Sequence, residues 1–198
     1  MKRYKYILIL VMALLLFWSC SSTKNDIANN SKTNQFIQLK ELIASRSFKF
    51  KAETAYPVQT YDMMQVTNAL LRNTGNTAGR ISLMGNDDYI TIKGDSVQAE
   101  LAYFGERRMG FNTDPQDIGV HFEGKPKTYD VIENTKKKTF NIEFETRWKT
   151  EQYDVTLLVY PSKNATVFIS STNRTSIRYD GKIEKLEETD KTPKQVAQ

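Results

Sequence analysis

"TFNIEFETRW", residues 139–148, alternates Phe140, Ile142, Phe144 and Trp148 with Asn141, Glu143, Glu145 and Arg147. Successive side chains of a strand point to opposite faces, so this spacing gives one apolar face and one wet face. The stretch is a half-buried β-strand, and its period sets the fold class. Working outward, "SVQAELAYF" repeats the alternation with Val97, Ala99, Leu101 and Tyr103, and "IGVHF" with Ile118, Val120 and Phe122. "YDVTLLVY" repeats it with Tyr153, Val155, Leu157 and Val159, and "SIRYDGKI" with Ile177, Tyr179 and Ile183. "SFKFKAE", "ISLM" and "YITIKG" are shorter candidates. Turn residues separate these runs at 85–88, 93–95, 134–138, 161–164 and 173–175. Many short strands without intervening helices predict a mainly β domain, an antiparallel meander forming a curled sheet or small barrel. A two-sheet β-sandwich is the alternative.

Two stretches break this rhythm. In "QFIQLKELIASR", Phe36, Leu39 and Ile43 recur at helical spacing, which predicts one short N-terminal amphipathic helix. Residues 57–80 hold "YDMMQVTNALL", read as a short helix within a long excursion from the sheet. "GERRMGFNTDPQD", residues 105–117, is a loop too long for a tight hairpin, and such loops are often functional or disordered. Arg107, Arg108 and Phe111 on it are the candidate partner-binding residues.

The N-terminus reads as an export signal. Lys2, Arg3 and Lys5 precede an apolar run from Tyr6 to Trp18, then Ser19 and Cys20. The run falls short of the ~20 helical residues that cross a bilayer. A small residue directly before a cysteine resembles a bacterial lipobox, which makes Cys20 the expected lipidation site and the membrane the expected partner. Cys20 is the only cysteine, so no internal disulfide forms. The expected organisation is a signal peptide over 1–19, a lipid-anchored flexible tether over 20–34, a single β domain over 35–184 and a disordered tail over 185–198. The expected location is the cell envelope. "SSTKND", residues 21–26, has Asp26 as its one acid, which favours the periplasmic side over the surface.

The formal net charge of +5 depends on residues that such processing removes. Without Lys2, Arg3 and Lys5, 25 basic side chains face 23 acidic ones. The two signs are interspersed instead of gathered in a stripe, which argues against nucleic-acid binding.

The order "LAYFG" (101–105), "GVHF" (119–122) and "TNRTSIRYDGKI" (172–183) resembles a lipoprotein family of the Bacteroidota known as a domain of unknown function. The resemblance runs from about Phe48 to Ile183. It rests on a Leu-Pro-Tyr-Phe-Gly-like segment and a closing Asn-Arg-x-x-Ile-x-Tyr-x-Gly pattern. Ala102 stands where that family usually has proline, so a backbone feature differs there. The resemblance implies no activity.

Catalytic candidates are few. "KGDSV", residues 93–97, contains a Gly-Asp-Ser, but a hydrolase nucleophile needs a strand-to-helix turn and a histidine base. Ser96 is followed by a strand, and the single histidine, His121, lies on the face opposite Val120 and Phe122. "DSV" also resembles a short acceptor motif for Bacteroidota O-glycosylation, which makes Ser96 a candidate glycan site. Glu143 and Glu145, ~7 Å apart on one strand face, match the spacing of a glycosidase pair, although Arg147 in the same row favours an ordinary solvated face. Asp87 and Asp88 beside Asn86 lack the regular oxygen spacing of a calcium loop. One histidine and one cysteine leave no zinc set, so no metal and no cofactor are expected. Tyr103, Phe104, Phe122, Phe144, Trp148, Tyr153 and Tyr179 form the expected inward aromatic set, chiefly core. The expected function is that of an envelope lipoprotein acting as a non-catalytic binding module. The alternatives are a carboxylate-dependent hydrolase of envelope glycans and a structural partner in an envelope complex.

Overall fold

The computed structural model describes residues 23–108 and 118–186, with side chains from residue 33 onward. Cys20, Phe111 and the tail from 187 lie outside the described residues. Two compact units divide the chain, Met1–Gln35 and Phe36–Gln198. The β architecture belongs to the second.

A helix, α1 (Thr23–Ala44), leads into β1 (Ser47–Pro57), and a second helix, α2 (Tyr61–Leu71), follows. Then come β2 (Ile81–Ser82), β3 (Tyr89–Lys93), β4 (Ser96–Leu101) and β5 (Val120–Gly124). The rest is β6 (Thr128–Asn134), β7 (Thr139–Trp148), β8 (Glu151–Val159), β9 (Asn164–Ser171) and β10 (Ile177–Lys185). The strands form one antiparallel sheet in the order β5-β4-β3-β1-β10-β9-β8-β7-β6, with β2 attached to β1. The two-sheet alternative is therefore not needed. The meander is broken once: β10 returns to pair with β1, from Phe48 opposite Lys185 to Pro57 opposite Ile177. That seam joins two runs of hairpins, β3–β5 and β6–β10.

The sheet curls into a half-barrel because one face is apolar along every long strand. Phe122 of β5 meets Phe144 of β7 with ring centroids 5.9 Å apart, and Tyr153 of β8 at 5.6 Å, although β5 begins the sheet order and β7 stands near its end. Phe48, Phe50, Ile142, Leu157 and Tyr179 are fully buried between them. Leu39 and Ile43 of α1 complete this core, and Phe36 stacks on Phe140 at 5.4 Å. In β7, Phe140, Ile142 and Phe144 are buried while Glu143 is exposed, as the alternation requires. Phe144→Ala should cost about 3 kcal/mol and Glu143→Ala less than ~0.5, measured by denaturant titration. Reversed sensitivities would place the register one residue away.

Four local readings need correction. β9 and β6 are strands that the residue pattern did not announce. β5 starts at Val120, leaving Ile118 exposed. Tyr103, Phe104 and Trp148 of the expected inward set are half-buried against the core, not enclosed in it. Helix α1 starts at Thr23, inside the stretch read as tether, because no Gly or Pro interrupts residues 23–44 and an established helix propagates one bond per residue. α2 forms where its pattern placed it, yet it buries none of its residues, and Leu70 is 79% exposed.

Candidate functional site

The segments "LAYFG" and "TNRTSIRYDG" are remote in sequence and packed together in space. The Tyr179 hydroxyl donates to the Ala102 carbonyl at 2.9 Å. The Tyr103 hydroxyl lies 3.0 Å from the Glu106 carbonyl and 2.9 Å from the Thr175 carbonyl. Thr175 Oγ1 accepts the Glu106 N–H at 3.0 Å and donates to the Val58 carbonyl at 3.1 Å. Gly105 leaves room for this network, because a Cβ there would overlap the Tyr103 hydroxyl and lie 2.6 Å from Thr175 Oγ1, so that one of those side chains would have to shift. Burial pushes the Tyr103 and Tyr179 phenols up, so both remain neutral donors. Ala102 also shows what its departure from proline supplies: its N–H donates to Asp88 Oδ1, a bond that proline cannot make.

Behind this junction lies a buried ion pair. Arg174 is 4% and Glu151 is 6% exposed. Arg174 Nε donates to Glu151 Oε1 at 2.9 Å and Nη2 to Oε2 at 3.1 Å, a bidentate fork. Arg174 Nη1 donates to the Ile118 carbonyl at 3.0 Å and to that of Gly119. The guanidinium also covers the Tyr103 ring at 5.1 Å. Ser171 donates to Glu151 as well. Burial alone would push the Glu151 carboxyl up, but the Ser171 and Arg174 hydrogen bonds and the guanidinium charge hold it below its ordinary value. Both charges are consumed in holding the fold.

In front of the junction opens a cleft of about 480 Å³. One wall is Asp87 and Asp88, leading into β3, and the next is Glu100, Leu101 and Ala102 at the end of β4. Gly119, Val120 and His121 bring in the start of β5, and Trp148 and Lys149 the β7–β8 hairpin. His121 meets Trp148 edge-on, with centroids 4.6 Å apart and planes at 72°. Lys149 takes the left-handed conformation, φ 53°, that a two-residue hairpin demands. Glu100 sits opposite His121 in the β4–β5 register and accepts from the Tyr89 hydroxyl at 3.3 Å. Burial first, then the Glu100 charge, push the Tyr89 phenol up to about 12. Asp87 lies 3.6 Å from Lys49. Asp88 is 5% exposed: its Oδ1 takes the Ala102 N–H, while Oδ2 is buried with no hydrogen-bond partner.

The structure separates the catalytic candidates. Ser96 is exposed in the β3–β4 hairpin and pairs with Lys93. His121 pairs with Glu100, four residues further along β4, which is roughly 13 Å away. Ser96 and His121 are thus not brought together, and Ser96 keeps the exposure a glycan acceptor needs. Glu145 accepts from Lys127 at 2.9 Å and Glu143 from the Asn141 side-chain amide, and neither lines the cleft. Arg107 bridges Arg174 through the backbone, and its Nη2 is 3.6 Å from Glu151 Oε2. The Arg108 N–H donates to the Asn173 carbonyl at 2.7 Å. The start of the long loop is therefore pinned to the β9–β10 corner. Among the described residues, no three His, Cys, Asp or Glu side chains gather as a metal set, and no helix is long and apolar enough to cross a membrane. Glu151 escaped the sequence reading, Asp88 entered it only beside a rejected calcium loop and Arg174 only within a pattern, because each stands at a turn or strand end, where a charge is ordinary.

A family model described as "Domain of unknown function (DUF4251)" matches residues 30–183. Among solved structures, the fold is similar to the crystal structure of a DUF4251 family protein from Bacteroides eggerthii, at TM-score 0.51 and 13% identity. The alignment covers 76% of this chain and 87% of that one. No curated protein matches the chain.

Proposed function

Because the chain belongs to the DUF4251 family, a domain of unknown function, we propose a role drawn from its own geometry: a lipid-anchored envelope protein whose β domain binds a small ligand without transforming it. The observation that carries this reading is the cleft. Its volume of about 480 Å³ falls within the range of small-molecule sites, and it joins a few polar groups to the aromatic wall of Trp148 and His121. The buried Arg174 and Glu151 side chains nearby are engaged with each other. The anchor rests on sequence: Cys20 follows a basic start and an apolar run.

Complementation of a deletion strain at matched protein levels tests both halves. Cys20→Ala should move the protein from the membrane fraction to the soluble one. Trp148→Ala should stay in the membrane fraction and lose complementation, whereas Ser96→Ala and Glu143→Gln should retain it. Full complementation by Trp148→Ala would remove the cleft from the function. Loss through Ser96→Ala or Glu143→Gln would make catalysis the reading to pursue, and a membrane-bound Cys20→Ala would refute the anchor.

A further inference from the structure

We propose that the cleft takes a small organic ammonium ion, its N–H groups directed at the Asp88 carboxylate and its carbon frame against Trp148. This rests on the reading of the cleft as a ligand seat and adds the ligand's charge.

Asp88 carries the argument. It is 5% exposed, and one carboxylate oxygen is engaged while the other has no donor. A buried acceptor without a partner costs the full desolvation of that group, more so when it is charged. The surrounding cations do not supply the missing bond. Arg174 gives its hydrogen bonds to Glu151 and to the carbonyls of Ile118 and Gly119, and Lys49 reaches Asp87 and covers the Tyr89 ring at 4.3 Å. Asp88 lines the cleft, so a donor entering there approaches the carboxylate whose Oδ2 lacks one.

The rest of the lining agrees in sign. Among the described residues it holds three carboxylates, Asp87, Asp88 and Glu100, against one lysine, Lys149. An anionic ligand would meet that excess with repulsion. Trp148 offers the aromatic surface that most favours a cation, and Leu101, Ala102 and Val120 offer apolar contact for a short carbon frame. Among the described residues the carboxylates are not gathered as a metal set, and an organic cation brings its own directed N–H groups, which a bare ion lacks.

The test is calorimetric titration of the full chain in detergent at about 0.15 M salt, where exposed charges are largely screened. The probes are 1,4-diaminobutane and glucosamine, each beside its neutral isostere, 1,4-butanediol and glucose. At least one ammonium probe should bind tenfold or more tightly than its isostere. Asp88→Asn retains an Oδ1 for the Ala102 N–H but places an amide where Oδ2 stood, so it should abolish the preference while the domain still melts cooperatively. Should that variant fail to fold, Glu100→Gln, on an exposed side chain, should reduce the preference at least threefold. Glu143→Gln should leave it unchanged. Equal binding of amine and isostere would overturn the ammonium assignment while keeping the cleft as a seat for a neutral ligand. No binding by any probe would overturn it too, leaving complementation to decide the broader reading. A preference that survives both Asp88→Asn and Glu100→Gln would remove these carboxylates from recognition.

Discussion

Gly181→Ala should lower stability by more than ~4 kcal/mol, the largest expected loss for so small a change. The register between β1 and β10 shifts between Ala52 and Thr54, so Glu53 is an extra residue on β1. The bulge is held from outside: the Glu53 carbonyl accepts the Leu83 N–H at 2.9 Å, and its carboxylate pairs with Lys182 at 2.9 Å. The chain then passes so close to Gly181 that a Cβ there would overlap the Lys51 carbonyl oxygen and lie 3.0 Å from the Ala52 Cα. All of these atoms are backbone, so no side chain can rotate away. Relief requires parting β1 from β10, the seam between the two runs of hairpins. Gly79→Ala is the control, since a Cβ there meets nothing within 4 Å. Denaturant titration should separate the two variants widely, and closely similar midpoints would show that the seam yields.

Arg174→Met should cost ~3 kcal/mol, because it removes the bidentate partner of buried Glu151 and leaves only the Arg107 guanidinium, 3.6 Å away. The signature is in the pH dependence. In the native protein the Glu151 carboxyl is held below its ordinary 4.5, so its contribution is present above the unfolded pKa and lost as pH falls through the folded value. In Arg174→Met the burial remains while the Arg174 hydrogen bonds and charge are gone, so that carboxyl rises and the variant recovers as it protonates. The stability gap between the two proteins should therefore narrow from pH 7 towards pH 4. Glu151→Leu added to Arg174→Met should restore most of the loss, since an apolar pair of similar volume no longer buries a poorly compensated charge. A gap independent of pH, with no rescue by the double change, would mean that packing alone accounts for the effect.

How much of this was legible depends on the range over which each feature acts. β7 and β8 show their alternation locally, and their pairing, Phe144 opposite Val155, follows from two adjacent apolar faces. β9 has the same period in Ala165, Val167 and Ile169, but Phe168 points outward at 47% exposure and blurs it. β6 stands at the sheet edge with Val131 and Ile132 both exposed, so no face is buried and no period results. The closing Asn-Arg-x-x-Ile-x-Tyr-x-Gly pattern was visible as a resemblance, while its physical content needed coordinates: Arg174 holds Glu151, Ile177 and Tyr179 fill the core, and Gly181 admits the bulge. The cleft was the least legible feature. Asp88 looks like any turn aspartate, and Trp148 continues an apolar row. Only the curl that brings β5 over β7 sets both beside one opening.

The pairing of β1 with β10 also governs the order in which the chain can assemble. β1 begins at Ser47 and its partner ends at Lys185, so the sheet's central ladder closes the longest loop in the domain. The entropy of that closure has to be met before its contacts repay it, whereas the hairpins β3–β4 and β7–β8 close over a few residues. A chain that emerges N-terminus first therefore presents β1 long before its principal partner exists. Until β10 has emerged, β1 can pair along only one of its edges, with β3 opposite Phe48 and Phe50 and with β2 opposite Thr54 and Ala55. The seam cannot close before Lys185 is available to pair with Phe48.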